Sequence, residues 1–222
     1  MVQVAALIPA YNEEDRVGET VRAVRSLPEV SDVVVIDDGS TDDTTRVARE
    51  AGARVIVLKS NCGKGAALNR GLAETTGEIV LMVDADLGEC ASETRALLDP
   101  VLAGTSDMAV AAMKAPPGHK GGFGLALRFS RWAIARFGGA EMTAPMSGQR
   151  AITRKLLEDV GGFETRFGVE TALTIDALRK DYRVVEIPLA LKHRATGRDL
   201  NGFLHRGRQF WDIARAVLRR LR

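Results

Sequence analysis

Asp84 and Asp86 close the segment EIVLMVDAD (78–86), where an apolar run stops at two carboxylates. Residues two apart in a strand point to the same side, so both carboxylates are expected to project from one strand tip. Left alone they would repel each other. A divalent cation resolves that repulsion, and hard oxygen ligands suit Mg2+ or Mn2+. A solvated acidic turn is the plainer alternative, because Asp-x-Asp is a common pattern. The apolar run ahead of it puts the pair where a core ends.

Lys64 stands between Gly63 and Gly65, ahead of the helical stretch GKGAALNRGLAETT (63–76). The glycines let the backbone approach a ligand, a helix start favours an anion, and the ammonium can reach a phosphate or a base. The alternative is an ordinary loop leading into a helix. Neither G-x-x-x-x-G-K-[ST] nor a G-x-G-x-x-G after the first strand is present. Arg194 and Arg198 in the basic loop LKHRATGRD (191–199) suit a phosphate, with a solvated loop as the alternative. The Pro/Gly segment APPGHKGGFG (115–124), with His119 and Lys120, has the composition of a lid that orders over a ligand.

The elements that must position these groups alternate. Apolar runs at 2–8, 32–37, 54–58 and 78–86 predict buried strands, and the segments between them, 13–27, 41–51 and 63–76, predict helices. Strands separated by helices of this length imply β-α-β units and a mainly parallel sheet. The second half is less regular. Strands are expected at 106–113, 147–153 and 183–189 and helices at 125–137 and 169–180, with Pro188 favouring a strand end or sheet edge. Ser40 and Asp42 read as caps of the second helix. The tail 200–222 reads as one basic amphipathic helix. Its apolar stripe either lies on an anionic membrane or packs on the catalytic domain or a second subunit.

Composition sets the outer limits. The chain has 222 residues, 45% hydrophobic and 27% charged, with a formal net charge of +2, as expected of one soluble domain without a polyanion partner. Basic–aromatic platforms for nucleic acid are lacking. No apolar run reaches the length of a spanning helix, and the N-terminus reads as a buried strand rather than a signal peptide. Cys62 and Cys90 lack metal-ligand spacing and are expected to be reduced thiols of a cytoplasmic protein.

Four motifs, IPAYNEED (8–15), VVVIDDGSTDDT (33–44), GKGAALNRG (63–71) and VDADL (83–87), follow in an order and spacing that resembles the family 2 nucleotide-sugar glycosyltransferases of the GT-A fold. The segments SGQRAITR (147–154) and RFGVETALTID (166–176) are similar to polyprenyl-phosphate sugar synthases and to glucosyl-3-phosphoglycerate synthases. The resemblance implies a Rossmann-like, mostly parallel sheet flanked by helices. It divides the chain into a catalytic domain over 1–198, with a nucleotide-binding half (1–90) and an acceptor-binding half (91–198), followed by the helix 199–222. No Q-x-x-R-W-type motif of the polymer-making members is present.

The resemblance also assigns roles. Pro9, Ala10, Tyr11 and Glu13 would line the nucleoside, with Glu13 accepting from ribose hydroxyls, and Asp38 would hold the base edge. Asp86 would ligate Mn2+ or Mg2+ directly, Asp84 would contact ribose or metal more loosely, and His193 would be a third ligand. Glu170 would take a proton from a hydroxyl acceptor or hold sugar hydroxyls, Lys64 would meet a phosphate or the base, Arg194 would meet a phosphate of the donor or of the acceptor, and Ser147, Gly148, Gln149 and Arg150 would floor the acceptor site, with Arg150 pairing with an acceptor phosphate. A sugar would pass from a UDP- or GDP-sugar, UDP-glucose being one such donor, to a small phosphorylated or carboxylated acceptor or to a polyprenyl phosphate. The expected setting is the cytoplasm, with peripheral membrane contact or a homodimer formed through the tail. The alternatives are a sugar-phosphate nucleotidyltransferase, which should carry a Gly/Arg-rich first loop in place of PAYNEED, and a non-catalytic nucleotide-sugar-binding module.

Overall fold

The structure, a computed structural model, describes residues 2–113, 124–164 and 168–189. Seven strands form one sheet in the order β3-β2-β1-β4-β6-β5-β7. They are β1 (Val4–Ala10), β2 (Val30–Asp37), β3 (Arg54–Val57), β4 (Ile79–Met82), β5 (Met108–Met113), β6 (Arg150–Thr153) and β7 (Val184–Leu189). The first four run parallel, β6 is antiparallel to both its neighbours, and β5 and β7 are parallel to each other.

Alternate residues of each strand feed two cores. Val4, Ala6 and Ile8 of β1 join Val33 and Val35 of β2 and the apolar stripe Val17, Val21 and Val24 of α1 (Val17–Arg25). Leu7, Val34, Ile36, Val80 and Met82 face the other way, onto α3 (Lys64–Ala73) and the helices of the second half. Burial on both faces is why β1, β2 and β4 read as continuous apolar runs. Helix α2 (Thr44–Glu50) completes the second β-α-β unit.

The second half departs most from expectation. A 3₁₀ segment (Gly88–Thr94) leads into α4 (Arg95–Leu102), where no element was expected. Pro100 inside α4 weakens its helical signature, although Leu97, Leu98 and Val101 are buried in the first core. Helix α5 (Gly124–Gly138) and helix α7 (Val169–Arg179) match the expected positions. Helix α6 (Arg154–Val160) was hidden because it is short and follows β6 directly, started by a Thr153 cap that accepts from the Leu156 N–H. The expected strand over 147–153 begins only at Arg150, and β7 is an edge strand, as Pro188 favoured. The tail helix, the Pro/Gly segment 115–123 and the basic loop lie outside the described residues.

Arg183 ties the start of β7 to β5. Its Nε donates to Asp107 Oδ2 at 3.0 Å and its backbone N–H donates to the same oxygen at 2.9 Å. The Arg183 hydrogen bond, only partly opposed by burial, holds the Asp107 carboxyl below its ordinary value of 3.8. A carboxyl lowered in the folded state stabilises above its unfolded pKa and loses that contribution as pH falls through the folded pKa. Thermal melts across pH should therefore show Asp107→Asn melting below wild type at neutral pH, with the gap closing as the pH falls below about 4.

Candidate functional site

The carboxyl ends of β1, β2 and β4 meet where the strand order reverses, the place at which open α/β sheets bind ligands. Two loops there are stitched to each other. After β1, the chain turns at Asn12, which adopts φ 55°. Its backbone N–H donates to Ser40 Oγ at 2.9 Å and its Oδ1 accepts from the Thr41 N–H at 2.9 Å. The Glu13 N–H donates to Thr44 Oγ1 at 2.8 Å, and Glu14 Oε2 accepts from the Asp43 N–H at 2.8 Å. Asp42 Oδ1 accepts from the Thr44 N–H at 3.0 Å in an Asx turn just ahead of α2, whose N-cap position is Asp43, and Ser40 serves the opposite loop, so neither expected residue is the cap. Motifs that read as separate signals thus form one rigid ledge. Pro9 and Ala10 end β1 beneath it, and Tyr11 stands exposed at its rim.

Asp38 is buried under the glycine loop. Its oxygens accept backbone N–H groups from Cys62 at 2.7 Å and Gly63 at 2.8 Å. Gly63 has φ 90°, and that turn delivers Lys64 as the first residue of α3. Asp38 therefore aims Lys64, in addition to any contact with a ligand.

Lys64 points to the turn after β4, at the middle of the sheet. Its Nζ donates to Asp84 Oδ1 at 2.7 Å and to Glu170 Oε1 at 2.8 Å. Burial alone would lower the ammonium pKa, but the charges of Asp84 and Glu170 and the hydrogen bonds to both outweigh burial and raise it. Lys64 is thus a permanent cation near neutral pH and serves by charge, not as a base. The other oxygen of Asp84 accepts from Gln149 Nε2 at 2.7 Å, and Gln149 Oε1 lies 3.3 Å from Ser147 Oγ. Antiparallel β6 makes this contact because its first residue, Arg150, pairs with Met82, the last residue of β4. Gly148 is the wall of the cluster. A Cβ there would lie 2.4 Å from Asp84 Oδ2 and 2.6 Å from Lys64 Nζ.

Several expectations are corrected by this geometry. Strand β4 ends at Met82, so Asp84 and Asp86 sit in a turn beyond it. The in–out alternation nonetheless persists: Val83, Ala85 and Leu87 are buried while Asp84 and Asp86 are half-buried. The ammonium of Lys64 already offsets the charge of Asp84, so repulsion between the two aspartates does not by itself demand a metal. Gly148 makes its close approach to Asp84 and Lys64. Arg150 is fully buried and donates to the carbonyls of Ser147 and Pro145 and to Thr174 Oγ1. Burial brings its guanidinium down to about 10, against the pull of Glu170 and Glu186. Arg150 holds the 145–147 loop and the α7 helix together and does not face an acceptor phosphate.

Among the described residues no three His, Cys, Asp or Glu side chains form a ready-made metal cage. His193, Arg194, Arg198, His119 and Lys120 lie outside those residues. The donor chemistry still fits a hard divalent cation. Asp84 and Glu170 already share one cation, the Lys64 ammonium, and Asp86 adds a carboxylate two residues on. Sequence reasoning missed three contributors: Gln149 as a partner of Asp84, Asn12 as the stitch between loops, and Thr20, whose hydroxyl donates to the Ala85 carbonyl at 2.8 Å. Thr20 occupies the apolar stripe of α1, and a hydroxyl in such a stripe is the signal that could have found it.

Residues 5–163 match the sequence pattern of Glycosyl transferase family 2. Glycosyltransferase AglJ of Haloferax volcanii is 30% identical over 207 residues, covering 89% of this chain and 66% of that protein. Glucosyl-3-phosphoglycerate synthase of Mycolicibacterium paratuberculosis is 32% identical over 202 residues, covering 78% and 59%. The chain thus spans about three fifths to two thirds of the length of these two relatives. Undecaprenyl-phosphate mannosyltransferase of Micrococcus luteus is 26% identical over 211 residues, covering 88% and 86%. The crystal structure of the Mycobacterium tuberculosis glucosyl-3-phosphoglycerate synthase in complex with Mn2+, UDP-glucose and phosphoglyceric acid superposes with a TM-score of 0.82. It is 28% identical and covers 99% of this chain and 79% of that one. The expected GT-A architecture is the one observed.

Proposed function

The chain belongs to glycosyl transferase family 2, and on that premise we propose that it transfers a hexose from a UDP- or GDP-sugar to a phosphate-bearing acceptor with Mn2+ or Mg2+ bound. The observation that carries this reading is the cluster of Lys64, Asp84, Glu170 and Gln149 at the strand-order reversal, beside the ledge built by the loops after β1 and β2. The solved synthase that is similar to this chain over 99% of its length holds Mn2+ and UDP-glucose.

Pro9, Ala10, Tyr11 and Glu13 present the ledge to the nucleoside, and Asp38 keeps spare lone pairs beside the base end of the same groove. Asp86 and Asp84 would hold the divalent ion, with His193 as a third ligand. When bound, that ion offsets the negative charge that grows on the departing nucleoside diphosphate. Lys64 supplies fixed positive charge at the same place, and Arg194 adds to it. Glu170, at the first turn of α7, faces the sugar and the acceptor. For a hydroxyl acceptor it takes the proton. A phosphate acceptor is already mostly ionised, since its second pKa is about 6, and Glu170 then holds sugar hydroxyls. Residues 1–90 carry the donor and 91–198 the acceptor.

A phosphoglycerate-like acceptor is favoured by the synthases among the relatives. A lipid phosphate is favoured by a different observation, the outer face of α5. Leu125 is 76% exposed and Trp132 54% exposed, amid Arg128, Arg131 and Arg136, on a helix without an acidic residue. Such a face suits an anionic membrane surface. No helix among the described residues is long and apolar enough to cross a membrane. Free Cys62 and Cys90 agree with a reducing cytoplasm.

The test is donor turnover. Slow, Mn2+-dependent release of UDP or GDP from nucleotide sugars is expected, accelerated by 3-phosphoglycerate or by a polyprenyl phosphate. Pyrophosphate release from a nucleoside triphosphate and a sugar phosphate would overturn the reading in favour of a nucleotidyltransferase. Nucleotide-sugar binding without turnover of any kind would leave a binding module.

A further inference from the structure

We propose that Thr20 is a positioning residue for Asp86, and that its single hydroxyl fixes the turn from which this carboxylate reaches its cation. The role rests on the reading of that turn given above. Thr20 lies in the middle of α1 and is fully buried. Its Oγ1 donates to the Ala85 carbonyl at 2.8 Å and accepts from the Gly88 N–H at 2.8 Å. These two backbone groups bracket Asp86. Ladder bonding has ended before the turn; its last backbone link to the sheet is the Val83 N–H on the Leu7 carbonyl at 3.1 Å. Among the described residues, beyond that bond, the Thr20 hydroxyl ties the backbone on both sides of Asp86 to the rigid first unit.

A helical threonine commonly bonds back to its own helix. Thr20 instead directs its proton to a residue 65 positions away. The fit around the turn is close. Gly88 has φ 60°, and a Cβ there would lie 2.8 Å from Glu19 Oε2 of the same helix. Removing the hydroxyl leaves a buried carbonyl and a buried N–H without their partner, which the turn can relieve only by shifting. The shift moves Asp86, because Asp86 lies between them.

Groups that orient a metal ligand typically change metal affinity by about 10–100-fold when lost. Thr20→Val keeps the shape and removes both hydrogen bonds. In the presence of UDP, its Mn2+ affinity, read from the electron paramagnetic resonance of free Mn2+, should weaken by about 10–100-fold. The Mn2+ concentration giving half-maximal donor turnover should rise in step, while the KM for nucleotide sugar at saturating Mn2+ changes little. Thr20→Ser, which keeps the hydroxyl, should restore Mn2+ affinity. Should Thr20→Val fail to fold, Thr20→Cys, with a weaker donor and acceptor of similar size, should fall between serine and valine.

Wild-type Mn2+ affinity in Thr20→Val would overturn this role while leaving the cation reading intact. So would a Thr20→Ser variant as impaired as valine, or a Thr20→Cys variant equal to wild type. If the wild-type protein binds no Mn2+ with either UDP or GDP, the cation reading itself falls and the role with it.

Discussion

Replacing Asp86 with alanine is expected to lower kcat/KM for donor turnover by about 10³-fold, a loss of about 4 kcal/mol of transition-state stabilisation, with little change in Tm. The size follows from the job. Charge appears on the leaving diphosphate only as the sugar–phosphate bond breaks, so a lost counter-charge weighs more on the transition state than on binding. The small effect on Tm follows from the turn. Its core anchors are Val83, Ala85 and Leu87, and Asp86 is half-buried on the opposite side. Asp84→Ala should behave differently. Asp84 holds Lys64 and Gln149, so its loss should also lower Tm. Turnover of Asp86→Ala close to wild type would remove Asp86 from the mechanism.

Gly148→Ala is expected to lower kcat/KM by about 10²-fold, the order of loss that a displacement of about 1 Å causes in a catalytic constellation. The new Cβ would lie 2.4 Å from Asp84 Oδ2, 2.6 Å from Lys64 Nζ and 2.7 Å from Asp84 Oδ1, distances that real Cβ atoms do not show. Something must give, and the movable parts are the two charged side chains of the site. Overpacking of this kind destabilises by about 1–3 kcal/mol, so the variant should still fold. Gly124→Ala is the control, since a Cβ there meets nothing within 4 Å among the described residues. Equal activity in both variants would mean that the Lys64–Asp84 pair is not where the chemistry occurs.

The parallel half of the fold was legible because burial on both faces leaves uninterrupted apolar runs, and because Gly63 and the Asp-x-Asp pair mark loops. The helices of the second half were less so. Pro100 obscured α4, and α6 is a helix of 7 residues that follows β6 directly, too short for its apolar spacing to repeat. Register between distant segments was not legible at all. The antiparallel pairing of Arg150 with Met82 brings Gln149 to Asp84, and neither segment's own sequence specifies that partner. For the same reason Arg150 read as a phosphate ligand. A guanidinium bonded to two backbone carbonyls and Thr174 has no local signature that separates it from an exposed one. Lys64 was located correctly at the glycine turn that starts α3. Its pairing with Glu170, far along the chain, came only from the fold.

The most direct measurement is a crystal of the protein grown with Mn2+ and UDP, or with GDP in its place, examined at a wavelength where manganese scatters anomalously. The expected map has its manganese peak at the Asp86 carboxylate, with the nucleoside along the ledge from Pro9 to Glu13. A nucleotide seated away from the ends of β1 and β2, or a manganese peak remote from residues 84–86, would contradict the central claim.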